Sequence, residues 1–246
     1  MKKSQRLRIL LFTILIVFAG ISRANADSIL YFNDYCFGTD QMGEALKALS
    51  GTHTATQVST SSDFASLIAT GDFDLGIMMI QDSWSDNYSD GIYALSNFVN
   101  NEGGRAIYTD WSMDNTYAAL FDAQWTGAVN DGQITVTHPQ MSNGISNPIS
   151  IYSSGWGVFS MDVDGPELAA YFSNGAGAIS IGNGQRSIVN GFLTDTFVDG
   201  GQGVQLYINQ VGYLIETKPV PEPGTIFLLV SGCLGLIGIK RISLIC

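Results

Sequence analysis

FDLGIMMI (Phe73–Ile80) and, one polar connection later, DGIYALSNFVNNEGGRAIYT (Asp90–Thr109) decide the fold. The first is a short apolar run, the pattern of a strand buried on both faces. In the second, Ile92, Leu95, Phe98 and Val99 fall on one side of a helix predicted over Asp90–Asn101. Gly103 and Gly104 end that helix, because a glycine accepts the left-handed conformation that closes a last turn. Arg105–Thr109 (RAIYT) then reads as a further strand. Strand, helix and strand joined this tightly make a parallel crossover unit.

The same alternation runs upstream. SILYFN (Ser28–Asn33) is a predicted strand, and Thr39–Leu49 a helix with Met42, Ala45, Leu46 and Leu49 on one face. Thr54–Val58 is a second strand, and Ser62 is placed to cap a helix over Asp63–Ala69. The expected fold is therefore α/β: three layers, doubly wound, with a flavodoxin-like, mostly parallel sheet. A β-sandwich is the rival architecture. In the second half, Gln133–Thr137, Gly157–Met161, Ala178–Ile181 and Ser187–Asn190 read as strands, the last two joined by a Gly182-Asn183-Gly184 turn. Pro166–Phe172 reads as a short helix. Gly203–Ile215 reads as a closing helix with Leu206, Tyr207, Val211 and Leu214 inward.

Charge narrows the partners. The chain of 246 residues carries 22 acidic and 11 basic side chains, for a net charge of −11. All the acidic residues but Glu222 lie within 27–218, where only Lys47, Arg105, Arg186 and Lys218 are basic. Nucleic acid and anionic lipid need basic surface, so neither is an expected partner. Of the three cysteines, Cys233 and Cys246 fall near the C-terminus, leaving Cys36 alone in the central segment. A lone thiol there makes no internal disulfide, and Cys36 reads as a small buried apolar residue.

Both ends carry targeting patterns. Lys2, Lys3, Arg6 and Arg8 precede an apolar stretch, Ile9–Ile21, and the small-x-small site Ala24-Asn25-Ala26. This is the layout of a signal peptide cut after Ala26 by signal peptidase; an uncleaved anchor is the alternative. At the other end Val220-Pro221-Glu222-Pro223 stands directly before the apolar run Thr225–Ile239, which Lys240 and Arg241 close. The run is shorter than the roughly 18–20 residues of a comfortable membrane span. The basic pair would keep its end in the cytoplasm. An ordinary short anchor is one reading. The box, run and basic pair also resemble the PEP-CTERM sorting signal of exported proteins from Gram-negative bacteria that make extracellular polysaccharide. That resemblance implies a transient stay in the inner membrane, processing by a membrane-embedded exosortase, and delivery to the cell surface or extracellular matrix. ISLIC follows Lys240 and Arg241 here, where the family tail ends in a basic cluster. The expected organisation is a signal peptide over 1–26, one α/β domain over 27–217, a linker with the Pro-Glu-Pro box over 218–224, a membrane sorting segment over 225–241 and a tail over 242–246.

ILYFNDY (29–35), GEALKAL (43–49), FDLGIMM (73–79), ALSNFVNNEGGRAIYTDW (94–111) and RSIVNGFLTDTF (186–197) together resemble the class I glutamine amidotransferase-like and trehalose-utilisation-like domains. In amidotransferases of that kind, the resemblance implies, a cysteine nucleophile sits on a sharp strand-to-helix turn after the strand that corresponds to Arg105–Thr109. This sequence departs there. Thr109-Asp110-Trp111-Ser112-Met113 has no cysteine and no flanking glycine. Ser112 could replace it only with a base, and His53 and His138 are the only histidines. HExxH, CxxC, GxGxxG and P-loop patterns are missing, so no catalytic residue and no cofactor is expected.

One constellation remains. Three strands end in an aspartate followed by an aromatic: Asp34 with Tyr35, Asp82 with Trp84, and Asp110 with Trp111. In a flavodoxin-like order these strands are neighbours, and their C-terminal ends are where doubly wound folds bind ligands. Carboxylates beside flat rings suit a sugar; capping and packing are the plain alternative. Three crowded carboxylates would also raise a pKa unless a cation joined them. Asp162 and Asp164, in Asp-Val-Asp-Gly, are a candidate cation loop that lacks the rest of EF-hand spacing. Two classes of function follow: a noncatalytic surface or matrix protein holding glycan or a cation, with extracellular polysaccharide as its partner, or a divergent carbohydrate-active enzyme.

Overall fold

The computed structural model describes residues 26–216 apart from Ser154. Residues 1–25 of the expected signal peptide, and the Pro-Glu-Pro box with its apolar run, lie outside the described residues. No helix among the described residues is long and apolar enough to cross a membrane.

Among the described residues, five strands run parallel in one half of a nine-stranded sheet: β1 (Asp27–Asn33), β2 (His53–Val58), β3 (Leu75–Ile80), β4 (Arg105–Asp110) and, far along the chain, β11 (Ser187–Asn190). Their spatial order is β2-β1-β3-β4-β11. The chain passes from β1 outward to β2 and then back across to β3, so the direction of winding reverses between β1 and β3. Beyond β11 the sheet continues with antiparallel strands β10 (Gly177–Gly182), β9 (Glu167–Phe172), β6 (Gln133–Val136) and the short β7 (Ile149–Ser150). A separate ribbon joins β5 (Gln124–Ala128) to β8 (Met161–Asp164).

Alternate side chains of the parallel strands feed two cores, because successive residues of a strand point to opposite faces. Ile29, Tyr31, Leu75, Ile77, Met79, Ile107 and Ile188 pack beneath α1 (Gln41–Ala48) and α5 (Gly200–Glu216). Leu30, Phe32, Met78, Ile80, Ala106, Tyr108 and Val189 pack beneath α2 (Ser61–Ile68) and α3 (Ser89–Asn101). Helices on both faces of one sheet make the expected three-layer, doubly wound α/β fold with flavodoxin-like strand order. Each fully buried Leu or Ile contributes on the order of 1.5–3 kcal/mol, so the two cores hold the layers together. Helix ends follow local chemistry. Asp40 caps α1, its carboxylate accepting from the Gly43 N–H at 2.9 Å. Gly103, at φ 76°, turns the chain out of α3.

Three local expectations change. The cap of α2 is Thr60, whose hydroxyl accepts from the Asp63 N–H at 3.0 Å, and Ser62 lies inside the first turn. Pro166–Phe172 is not a helix. Its residues form β9, hydrogen-bonded to β10 on one side and β6 on the other, and that double pairing outweighs the helical spacing of so short a run. Gly157–Met161 is not a strand. Gly157 sits at φ 70°, and regular pairing begins only at Met161.

Candidate ligand-binding site

β1, β3 and β4 end side by side. Asn33 pairs with Met79 and Ile80 with Asp110, so the residues that follow come out at one edge of the sheet, beside the reversal of winding. Ligands of doubly wound folds sit at such a crevice. Asp34, Asp82 and Asp110 all lie on this edge, but they do different things there.

Asp34 binds backbone. Its carboxylate accepts the N–H groups of Gln81 (2.7 Å), Asp82 (3.1 Å) and Ser83 (3.0 Å), gathering the loop after β3 around one charge. Asp110 is fully buried. It accepts from the Tyr108 hydroxyl at 2.7 Å, the Ser112 N–H at 2.8 Å and the Ser112 hydroxyl at 2.9 Å. Both carboxyls are held above the usual aspartate pKa. Burial is the cause in each case, opposed by these hydrogen bonds, and not the mutual repulsion expected from crowding. Asp82 is exposed.

The loop after β3 is also gripped from β4. Trp111 donates its indole N–H to the Ser83 carbonyl at 2.7 Å, and the Ser112 hydroxyl accepts the Ser85 N–H at 3.0 Å. Between those anchors stands Trp84, 65% exposed, its ring 4.9 Å from that of Trp111 and tilted by 47°. Trp111 in turn stacks on Trp156 at 6.4 Å and 15°. Trp84, Trp111 and Trp125 line an open groove of about 350 Å3, with Ser112, Asn130 and Ser160 supplying polar atoms. Of the four tryptophans in the sequence, three line the groove and the fourth, Trp156, stacks on Trp111. The indole N–H groups of Trp125 and Trp156 are buried without an acceptor among the described residues. A buried donor left unpaired costs about 1–3 kcal/mol.

Of the sequence-predicted residues, then, Trp84 and Trp111 line the groove, while Asp34 and Asp110 hold the elements that carry them. Tyr35 is 45% exposed on the same edge but outside the groove; its carbonyl accepts from the Gln81 side-chain amide at 2.6 Å. Trp125 and Trp156 were not anticipated. They come from the β5 ribbon and a loop of the second half, and only their rarity as tryptophans marked them in the sequence.

The turn after β4 is not built as a nucleophile elbow. No residue from Trp111 to Asp114 adopts a positive φ, and the chain enters the short α4 (Asn115–Ala118) through an ordinary cap, Asp114, which accepts from Thr116 and Tyr117. Neither histidine is a hydrogen-bond partner of Ser112. His53 opens β2 at the opposite edge of the sheet, 3.4 Å from Asp27, and His138 packs edge-on against Tyr213 of α5. Cys36 is half-buried, and burial together with the charges of Asp195 and Asp40 pushes its thiol up to about 12, the wrong direction for a thiolate.

Asp162 and Asp164 lie in β8, not in a loop. Asp162 accepts from the Gly177 N–H at 2.7 Å and from the Thr126 hydroxyl, tying β8 to its neighbours, and Asp164 accepts from the Gly165 N–H at 2.8 Å. Among the described residues no group of three or more His, Cys, Asp or Glu side chains is arranged to hold a metal ion.

No family model and no curated protein matches the chain. Solved structures do. A protein described as a GMP synthase subunit, from Thermoplasma acidophilum, superposes with a TM-score of 0.56 at 13% identity, over 78% of this chain and 96% of its own. A glutamine amidotransferase from Thermotoga maritima is similar with a TM-score of 0.49 at 9% identity, over 80% of this chain and 86% of its own. The chain therefore shares its fold with the first of these structures, and adds a tryptophan groove where its parallel strands end.

Proposed function

We propose that this chain is an exported, noncatalytic protein of the cell surface or extracellular matrix that holds a neutral glycan in the tryptophan groove. One observation carries the reading: three of the four tryptophans of the chain line a single open groove, and the fourth, Trp156, stacks on Trp111. Indole faces pack against the C–H faces of sugar rings. An acidic chain repels anionic ligands, which favours an uncharged saccharide. The turn at Trp111–Asp114 lacks the cysteine and the strain of a nucleophile elbow, which favours binding over turnover. Export rests on Ala24-Asn25-Ala26 and on Val220-Pro221-Glu222-Pro223 with its apolar run, so signal peptidase and exosortase are the processing partners. Before processing, residues 225–241 would tie the chain to the inner membrane.

A second reading, a divergent carbohydrate-active enzyme of the amidotransferase-like or trehalose-utilisation-like superfamily, draws on the fold and on Ser112 beside buried Asp110. One experiment separates the two. The full chain, expressed in an exporting Gram-negative host and recovered in mild detergent, is titrated with neutral hexose oligosaccharides while tryptophan fluorescence and product release are followed. Saturable fluorescence change without product supports the binding protein. Product that disappears in Ser112→Ala supports the enzyme, and no response to any saccharide removes both.

A further inference from the structure

The nine-stranded sheet has two edges, and they are treated differently. The β7 edge is blunted. That strand has two residues, and the segment after β11 covers it through the Val198 N–H to the Ser150 carbonyl at 3.0 Å and a bridge between Ile151 and Phe197. Among the described residues the β2 edge is open: β2 pairs there only with β1, in unbroken register from His53 to Val58, and Thr54, Ala55, Thr56 and Gln57 are all exposed.

Exposed edge strands invite pairing with another chain, and proteins guard them with lysine, proline, bulges or inward charge. β2 has none of these. No Asp, Glu, Lys or Arg occurs from Ala48 to Ser62. The chain has twice as many acidic as basic residues, so approach of two copies through acidic surface is opposed by like charge. Along β2 it is not. An antiparallel, two-fold pairing of β2 with β2 opposes only His, Thr, Ala, Gln and Val, and cross-strand threonine and β-branched pairs favour such ladders.

We infer that the β2 edge is a self-association surface, on which a second copy of this chain adds its own β2 to make one continuous sheet across a dimer. The surface is independent of the tryptophan groove, which lies at the strand ends. The test is sedimentation of the full chain in mild detergent, beside Thr56→Lys and Gln57→Glu. Both positions are exposed, and circular dichroism checks that each variant is folded. The wild type should run as a dimer, and each variant, by putting like charges on both strands of the short ladder, should dissociate at least roughly tenfold more readily. Amide exchange of residues 54–57 in the wild type should slow as protein concentration rises. A monomeric wild type, a dimer unchanged in both variants, or concentration-independent exchange in β2 each overturns the inference; protection of β2 only on adding a foreign polypeptide does so too, in favour of a different partner.

Discussion

Trp111 donates its indole N–H to the carbonyl of Ser83 over 2.7 Å, so the residue that follows β4 fixes the loop that follows β3. The ring that forms one wall of the groove thereby positions the other wall, Trp84, against which it lies at 4.9 Å.

The two tryptophans should respond differently to replacement. Trp84 is 65% exposed, so Trp84→Ala should leave stability within about 0.5 kcal/mol of wild type. It should weaken glycan binding by one to two orders of magnitude, if an aromatic anchor is worth about 1.5–3 kcal/mol. Trp111→Phe keeps a ring but loses the Ser83 bond, and should cost about 1 kcal/mol of stability as well as affinity. Chemical denaturation and calorimetric titration of the same samples check both; a Trp84→Ala protein that binds saccharide at full strength removes the groove from the mechanism.

Asp34 should matter more to the fold than to contact with ligand. Asp34→Ala leaves three N–H groups without their acceptor and should cost about 2–3 kcal/mol, with faster amide exchange at residues 81–83. Asp34→Asn retains one oxygen and should recover part of the loss. Exchange measured by mass spectrometry reads this out, and unaltered protection in the alanine variant would contradict the clamp.

Stability should fall as pH rises through the titration of Asp34 and Asp110. Both carboxyls are raised by burial above the roughly 3.9 of a free aspartate. The folded chain therefore holds these protons more tightly than the unfolded chain. Their contribution to stability is complete below the free value and is lost as pH rises through the raised, folded values. Asp110→Asn cannot charge, so its stability relative to wild type should improve from pH 4 to pH 7. Parallel urea titrations at the two pH values test the sign. Asp110→Asn should also weaken glycan binding if the turn that carries Trp111 depends on the charge, and should leave it untouched if Asp110 only caps that turn.

The exported chain should begin at Asp27. N-terminal sequencing of the protein from its native host reads this directly, and a mature form that retains Met1–Ala26 would rule out cleavage. Replacing Glu222 with Ala should block processing of the C-terminal tail if an exosortase reads the Pro-Glu-Pro box, and should change nothing if residues 225–241 are a plain anchor.

The sequence by itself determined the parallel half of the sheet and its helices. From Ser28 to Asp110 each strand meets its neighbours through a short crossover, and the period of the apolar residues, 2 in strands and 3.6 in helices, is a local property readable along the chain. It also placed Asp34, Asp82 and Asp110 on one edge, since that requires only strand ends and winding order. Tertiary structure decided the rest. Glu167–Phe172 has no local preference strong enough to choose between helix and strand, and became β9 because β10 and β6 offered hydrogen bonds on both sides. Whether a carboxylate at the edge faces a ligand or its own backbone depends on the path of a neighbouring loop, and for Asp34 three N–H groups from residues 81–83 took it. Trp125 reaches the groove, and Trp156 stacks on Trp111, from segments distant in sequence from Trp84 and Trp111, and no spacing encodes a contact made only when the chain folds in three dimensions.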